Sequence, residues 1–328
     1  MGRIRRDVLN DIPGTEVVSI ADPAIDIAPD GLRRYKEPDD LIADPDIDTV
    51  FICTPNYLNK ALTVRALEAG KHVFCEKPPA FNRAEVEEII EVEKRSGRKL
   101  MYGFNHRHHG SMKKVKELVD SGQYGRILWM RGRYGKSVDP SFYDGWRAQR
   151  ELAGGGIMMD QGIHMLDLFL MMAGEFHEVQ AVVSKLYWQL EVEDNVFVIL
   201  KNRDGVVASL HSTMTQWRHI FSLEVFLERG YLVVNGLQTT SGTYGDEVLT
   251  VAKNRSAAPA ATWEDEEHFR FEVNNSWRDE VRQFVDTISR DGPVEVGSSS
   301  DAWKLMNLMD QIYRDSSDTG PRSATVDR

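Results

Sequence analysis

Three side chains in this 328-residue sequence have types and spacings suited to moving charge and protons on an alcohol. Lys77 follows the short apolar run 72–75 and Glu76, and it precedes Pro78. A lysine just after a strand stands where parallel α/β sheets bind ligands. Its ammonium can hydrogen-bond a reacting oxygen and stabilise developing alkoxide. Pro78 lacks an amide proton and fixes the local turn. Asp160 and His164 are four residues apart in a helical pattern and so share a face, with Asp167 next along it. His164 has the ordinary pKa nearest neutrality, which makes it the better general base. Asp160 can orient a substrate or tune His164 and Lys77. Gly154, Gly155 and Gly156 precede the pair, and glycines let backbone approach a ligand closely.

A hydride leaving an alcohol carbon needs an acceptor. A dinucleotide-binding half opens with a strand, a G-x-G-x-x-G turn and a helix. Here residues 3–10 read as that helix and Gly2 as the last glycine, so the first strand and two glycines would lie upstream of Met1. Asp22 follows Gly2 by 20 residues, close to the spacing at which a carboxylate reaches the adenosine ribose. A carboxylate there accepts from ribose hydroxyls and repels a 2′-phosphate, favouring NAD over NADP.

The elements that must hold these residues alternate in period. Residues 15–21 read as a strand ending at Asp22-Pro23, 48–53 as a buried strand, 57–69 as a helix stopped by Gly70, and 72–75 as a short strand. Residues 82–96 read as a helix N-capped by Asn82, with Glu85 three residues on and Gly97 closing it; 100–104 form another strand. Alternating strands and helices imply a parallel sheet covered on both faces. Beyond, one helix is expected over 159–172, strands over 179–188, 195–200, 206–211, 221–227 and 231–234, and helices over 277–289 and 301–314. The strands here should be mostly antiparallel, with Gly-containing turns between some of them.

Four stretches resemble the glucose-fructose oxidoreductase / inositol dehydrogenase / rhizopine-catabolism oxidoreductases: Cys53-Thr54-Pro55-Asn56, residues 70–78 with Glu76-Lys77-Pro78, residues 103–107, and residues 154–167. The resemblance covers essentially the whole chain. It implies an α/β protein: an N-terminal Rossmann-type parallel sheet, its first strand missing, over 1–105, and a C-terminal α/β domain over 106–328. The second domain should carry a large, open, mostly antiparallel sheet that commonly forms the oligomer interface, so a homodimer or homotetramer is expected. The resemblance assigns Lys77, Asp160 and His164 together to the catalytic centre. It places Gly2, Asp22, Thr54, Pro55, Asn56, Glu76, Lys77, Asn105, Trp146 and Arg147 at the cofactor, and Lys77, Arg107, Tyr143, Arg147, Asp160 and His164 at the substrate. The implied activity is NAD-dependent hydride transfer at a hydroxyl-bearing carbon of a sugar, nucleotide sugar or cyclitol. An NAD-using glycoside hydrolase or lyase and a non-catalytic binding regulator are the alternatives on this scaffold. A regulator should show degraded catalytic positions, whereas Lys77, Asp160 and His164 are all present.

Bulk properties narrow the partners. The formal net charge of -11 is spread along the chain, and a broad anionic surface repels nucleic acid and anionic membranes. No run approaches the roughly 18 apolar residues of a membrane span, and residues 1–6 lack the apolar core of a signal peptide, so a cytoplasmic protein is expected. Cys53 and Cys75 end apolar runs and read as buried thiols. His106, His108 and His109 cluster without a carboxylate or cysteine nearby to complete a ligand set, so no metal is expected. Arg131 and Arg133 read as a solvated strand face. Trp188, Trp217, Trp263, Trp277 and Trp303 read as core or subunit-interface packing.

Overall fold

A computed structural model describes residues 1–25, 31–255 and 262–318. The first half alternates as expected. Its elements are α1 (Gly2–Asn10), β1 (Ser19–Ala21), β2 (Arg33–Tyr35), α2 (Pro38–Ala43), β3 (Thr49–Ile52), α3 (Asn56–Glu68), β4 (His72–Glu76), α4 (Arg83–Ser96) and β5 (Leu100–Gly103). β3, β4 and β5 pair in parallel, with Phe51, Phe74 and Met101 in register. Val73, Phe74, Cys75 and all of β5 are buried, the continuous apolar run a sheet covered on both faces requires. β1 and β2 form a separate parallel pair. β1 has three residues, because β2 offers only three partners, so residues 15–18 lie outside the strand expected there. α4 starts at Asn82, whose side chain accepts the Glu85 amide at 3.0 Å, and ends at Gly97 with φ 63°.

The second half is built on one eight-stranded sheet. After α5 (Gly110–Asp120) come β6 (Ile127–Ser137), the short α6 (Arg150–Ala153), a π-helical turn (Met158–Gly162), α7 (Ile163–Ala173), β7 (Phe176–Ser184), β8 (Asn195–Asn202), β9 (Val207–Thr213), β10 (Thr215–Leu227), β11 (Gly230–Asn235), β12 (Glu247–Lys253), β13 (Glu267–Phe271), α8 (Ser276–Ser289) and α9 (Ser299–Asp318). The strand order is β13-β12-β11-β10-β6-β9-β8-β7, antiparallel except for the β6–β9 pair. Met130, Tyr134, Leu210, Leu223 and Val225 face inward, while Trp129, Arg131, Phe197 and Ile199 alternate onto the other face. Arg131 there pairs with Glu224 through both carboxylate oxygens.

Three expectations shift. The strand expected to reach Trp188 ends at Ser184, because the Asp194 carboxylate accepts the amides of Leu186, Tyr187 and Trp188, each at 2.8 Å, and draws that backbone into a loop. The helix expected over 159–172 is a π-helical turn followed by α7. β10 begins six residues before the expected start at Phe221, passing through Trp217 at φ 58°.

The chain clusters into two compact units that interleave. One holds Met1–Gly110, Glu151–Gly154 and Asn274–Met306, so α8 belongs with the parallel sheet; the other holds Ser111–Arg150, Gly155–Val273 and the residues from Asn307. The sequence reading places a single boundary at residue 105.

Candidate active site

In the first unit, Lys77 sits on a clamped turn. It follows β4, is partly buried, and its peptide bond to Pro78 is cis. Asn59, buried on α3, donates Nδ2 to the carbonyls of Glu76 at 3.2 Å and Pro78 at 2.8 Å, one on each side of the lysine. Its Oδ1 accepts the Thr54 hydroxyl at 3.1 Å. A buried amide bonded at both ends fixes its neighbours, so Thr54 after β3 and Lys77 after β4 are tied through one side chain. Pro55 caps α3, and Asn56 Nδ2 donates to the Ala153 carbonyl at 2.8 Å. The sequence reading missed Asn59, which looks like any helix-surface amide until the turn is seen over it.

Glu76, expected at the cofactor, has a buried side chain. Its Oε1 accepts from Arg5 Nε at 2.7 Å, and Arg5 Nη2 reaches Glu280 Oε2 of α8 at 2.7 Å. The guanidinium lies 4.4 Å from the Phe74 ring centroid and 4.8 Å from that of Trp277. Burial works against the Arg5 charge, but the two carboxylates outweigh it and raise its pKa above the ordinary value. Glu76 therefore anchors α1 and α8 to β4. Two further expected site residues also have long-range partners. Arg107 Nη1 pairs with Asp301 Oδ2 at 3.2 Å and its side chain is buried, at the carboxylate that also accepts the Gly297 and Ser298 amides. Asn105 is buried, with Nδ2 at 3.4 Å from Ser276 Oγ and Oδ1 at 3.2 Å from His106 Nδ1. These contacts tie the turn Asn105–His108 to α8 and α9.

In the second unit, Asp160 lies on the π-helical turn and His164 on the first turn of α7. π-helical turns occur disproportionately at functional sites. Asp160 Oδ2 pairs with Lys136 Nζ of β6 at 2.5 Å, and Oδ1 lies 3.7 Å from Arg147 Nε. Arg147 in turn stacks over Trp146 at 4.3 Å. His164 is buried, with the Tyr134 ring 6.4 Å away. Tyr244 accepts from Gln161 Nε2 at 2.5 Å, and burial pushes its pKa up to about 12. Asp167 is fully buried. Tyr143, expected at the substrate, is exposed; its hydroxyl accepts the Gln189 amide at 3.2 Å, and its ring meets Trp188 edge-on at 6.1 Å.

Packing alone already requires glycine at two positions of the run. A Cβ on Gly156 would stand 2.0 Å from the Glu193 carbonyl oxygen, and one on Gly155 would stand 2.2 Å from the Tyr313 hydroxyl. Glu193, which the sequence reading missed, accepts the Gly156 amide at 2.8 Å and the Tyr313 hydroxyl at 2.9 Å. Burial pushes its carboxyl pKa up. Lys136 was missed as well, since a lysine near a strand end carries no signal by itself. Among the described residues, no group of three or more His, Cys, Asp or Glu side chains is placed to hold a metal ion, and no helix is long and apolar enough to cross a membrane. Burial pushes the Cys53 thiol up to about 12, so it stays protonated.

The described fold thus combines a parallel three-stranded sheet, followed by a lysine turn, with a large open sheet and a helix start that carries Asp160 and His164. A model of the oxidoreductase family with an NAD-binding Rossmann fold matches residues 2–104, and a model of the GFO/IDH/MocA C-terminal domain matches residues 112–233. The chain belongs to the GFO/IDH/MocA oxidoreductase family. It is 29% identical over 257 residues to levoglucosan dehydrogenase of Pseudarthrobacter phenanthrenivorans, covering 68% of this chain and 65% of that protein. It is 29% identical over 221 residues to myo-inositol 2-dehydrogenase of Thermotoga maritima, covering 66% and 64%. The matches thus span just under two thirds of those relatives' length. Among solved structures, levoglucosan dehydrogenase in complex with NADH and levoglucosan superposes with TM-score 0.85 at 24% identity over 97% of this chain and 95% of that one. Aldose-aldose oxidoreductase from Caulobacter crescentus complexed with glycerol gives TM-score 0.81 at 25% identity over 96% and 94%.

The residues present fit a dinucleotide. No side chain caps the start of α1, and its first turn holds no acidic residue. A Cβ on Gly2 would meet only Cys53 Cβ, at 3.9 Å. Gly2 thus lies beside Cys53, after the end of β3, and a helix start favours a phosphate. Asp22 follows β1, with Oδ1 accepting the Ala24 amide at 2.9 Å.

Proposed function

We propose that this protein oxidises a hydroxyl-bearing carbon of a sugar or cyclitol, or reduces the matching ketone, with Lys77, Asp160 and His164 as catalytic residues. The observation that carries the reading is the Asn59 clamp, which dedicates a buried amide to both sides of Lys77. A solvated lysine after a strand needs no such fixing. NAD, when bound, accepts or gives the hydride. Lys77 Nζ donates a hydrogen bond to the reacting oxygen and stabilises developing negative charge there. The His164 imidazole takes the hydroxyl proton. Asp160 accepts from a substrate hydroxyl and orients it. The Gly2–Arg3 amides and Thr54, Pro55 and Asn56 hold the dinucleotide. Trp146 and Arg147 contact the cofactor, and Arg147 and Tyr143 the substrate.

Asp22 supports a preference for NAD over NADP, since a carboxylate repels a 2′-phosphate. The outward sheet face supports a homo-oligomer: Val182, Phe197 and Ile199 on it are 55%, 44% and 53% exposed, and exposed apolar patches of this kind mark interfaces. Relatives named for levoglucosan, inositol and D-glucosides point to ring polyols. The test is NADH absorbance on incubating the protein with NAD and a panel of pyranoses, glycosides and inositols. Alcohol-dependent NADH formation supports the reading. Glycoside cleavage with no net NADH would replace it with a hydrolase or lyase.

A further inference from the structure

We propose that Lys136 is a positioning residue that fixes the Asp160 carboxylate as a hydrogen-bond acceptor and leaves proton transfer to His164; this rests on the role given to Asp160 above. Lys136 stands at the end of β6 on the same face as Tyr134, two residues earlier. Gly135 is in register with Thr213 of β9 and Ile220 of β10, and Ser137 with Thr215, with an irregularity in the β10 pairing between them. The Lys136 ammonium is carried by the last residue but one of β6. It meets Asp160 Oδ2 at 2.5 Å, and the two side chains are 12% and 24% exposed. The Phe142 ring centroid lies 5.0 Å from the same nitrogen.

Exposed lysine–carboxylate pairs contribute little. This one is shielded, so its attraction is larger and loss of either partner costs more. Arg147 faces the other oxygen at 3.7 Å, so each carboxylate oxygen meets a different cation. Two cations hold the carboxylate in its ionised form, which accepts but does not donate hydrogen bonds. Among the groups near the pair are the phenols of Tyr134 and Tyr244, both of which sense Asp160, and His219, whose charged form burial and, less, Lys136 disfavour. Burial raises the pKa of both phenols, so they stay protonated at neutral pH. His164, on the first turn of α7, is the group this proposal leaves to carry the proton.

The test uses the full chain without ligand. Carboxylate carbon NMR of aspartate-labelled protein follows the titration of Asp160, its resonance assigned by loss in Asp160→Asn. In Lys136→Met the Asp160 midpoint should rise by about one pH unit, and Lys136→Arg should restore it. With myo-inositol or levoglucosan as probe, whichever the wild type oxidises, Lys136→Met should lower kcat about tenfold or more with the KM for NAD unchanged, and Lys136→Arg should recover most of the rate. Should Lys136→Met fail to fold, the charge-free pair Lys136→Met with Asp160→Asn should fold, and Lys136→Arg then carries the comparison. An unmoved midpoint, or wild-type kcat in Lys136→Met, overturns the inference while leaving the function standing. A wild type that turns over no polyol overturns the function, and the inference with it.

Discussion

Asn59 donates its buried amide to the Pro78 carbonyl at 2.8 Å and to the Glu76 carbonyl at 3.2 Å, so one side chain on α3 sets the backbone from which Lys77 projects. Asn59→Ala would leave both carbonyls and the Thr54 hydroxyl without this partner. A loss of about 2–3 kcal/mol in stability is expected from the unsatisfied buried groups. Turnover should fall further than stability alone explains, because Lys77 loses its placement. Denaturant unfolding and steady-state kinetics on the same variant separate the two effects. Wild-type kcat with only lower stability would reduce the clamp to a structural feature.

Arg5 joins Glu76 and Glu280 in a fully buried ion group. Arg5→Met should destabilise by about 3–5 kcal/mol, since two buried carboxylates lose their counter-charge. Replacing all three with apolar side chains should recover much of that loss. Thermal unfolding of the single and triple variants checks both statements.

Asp194 accepts three backbone amides from the loop 186–188. Burial pushes its carboxyl pKa up, but these donors outweigh it and hold the pKa below the ordinary 3.8. A native pKa lower than the unfolded one gives stability that is present above the unfolded value and lost as pH falls through the native value. Asp194→Asn should therefore cost about 2 kcal/mol at neutral pH. The gap in Tm between variant and wild type should close below pH 3.8. A gap independent of pH would mean that the ionised form contributes nothing.

Asp22 follows β1, and the proposed function gives it the adenosine ribose. Wild-type protein should bind NAD at least about tenfold more tightly than NADP, and Asp22→Ser should shrink that ratio. Calorimetric titration with both dinucleotides measures it. Equal affinities in the wild type would remove Asp22 from the cofactor site.

The alternating half was legible because buried parallel strands are apolar throughout, as at Val73–Cys75, and because Asn82 and Gly97 mark helix ends by chemistry that acts locally. β2 and β13 were not legible: Arg33–Tyr35 and Glu267–Phe271 are polar edge strands whose pairing, not their pattern, makes them strands. The Asp160–His164 spacing was visible, but the π-helical turn beneath it was not, since it follows from Glu193 taking the Gly156 and Met158 amides from 37 and 35 residues away. Distance in sequence also hid Arg5–Glu76, Arg107–Asp301 and Lys136–Asp160. Glu76, Arg107 and Asn105 border the motif, and their long-range partners Arg5, Asp301 and Ser276 lie too far off in sequence to be read from it.

The most direct test of the central claim is NADH formation by Lys77→Ala with the polyol that the wild type oxidises best. The account predicts a fall in kcat of about two to four orders of magnitude, with Tm and NAD affinity close to wild type. A Lys77→Ala protein that turns over at the wild-type rate would contradict it.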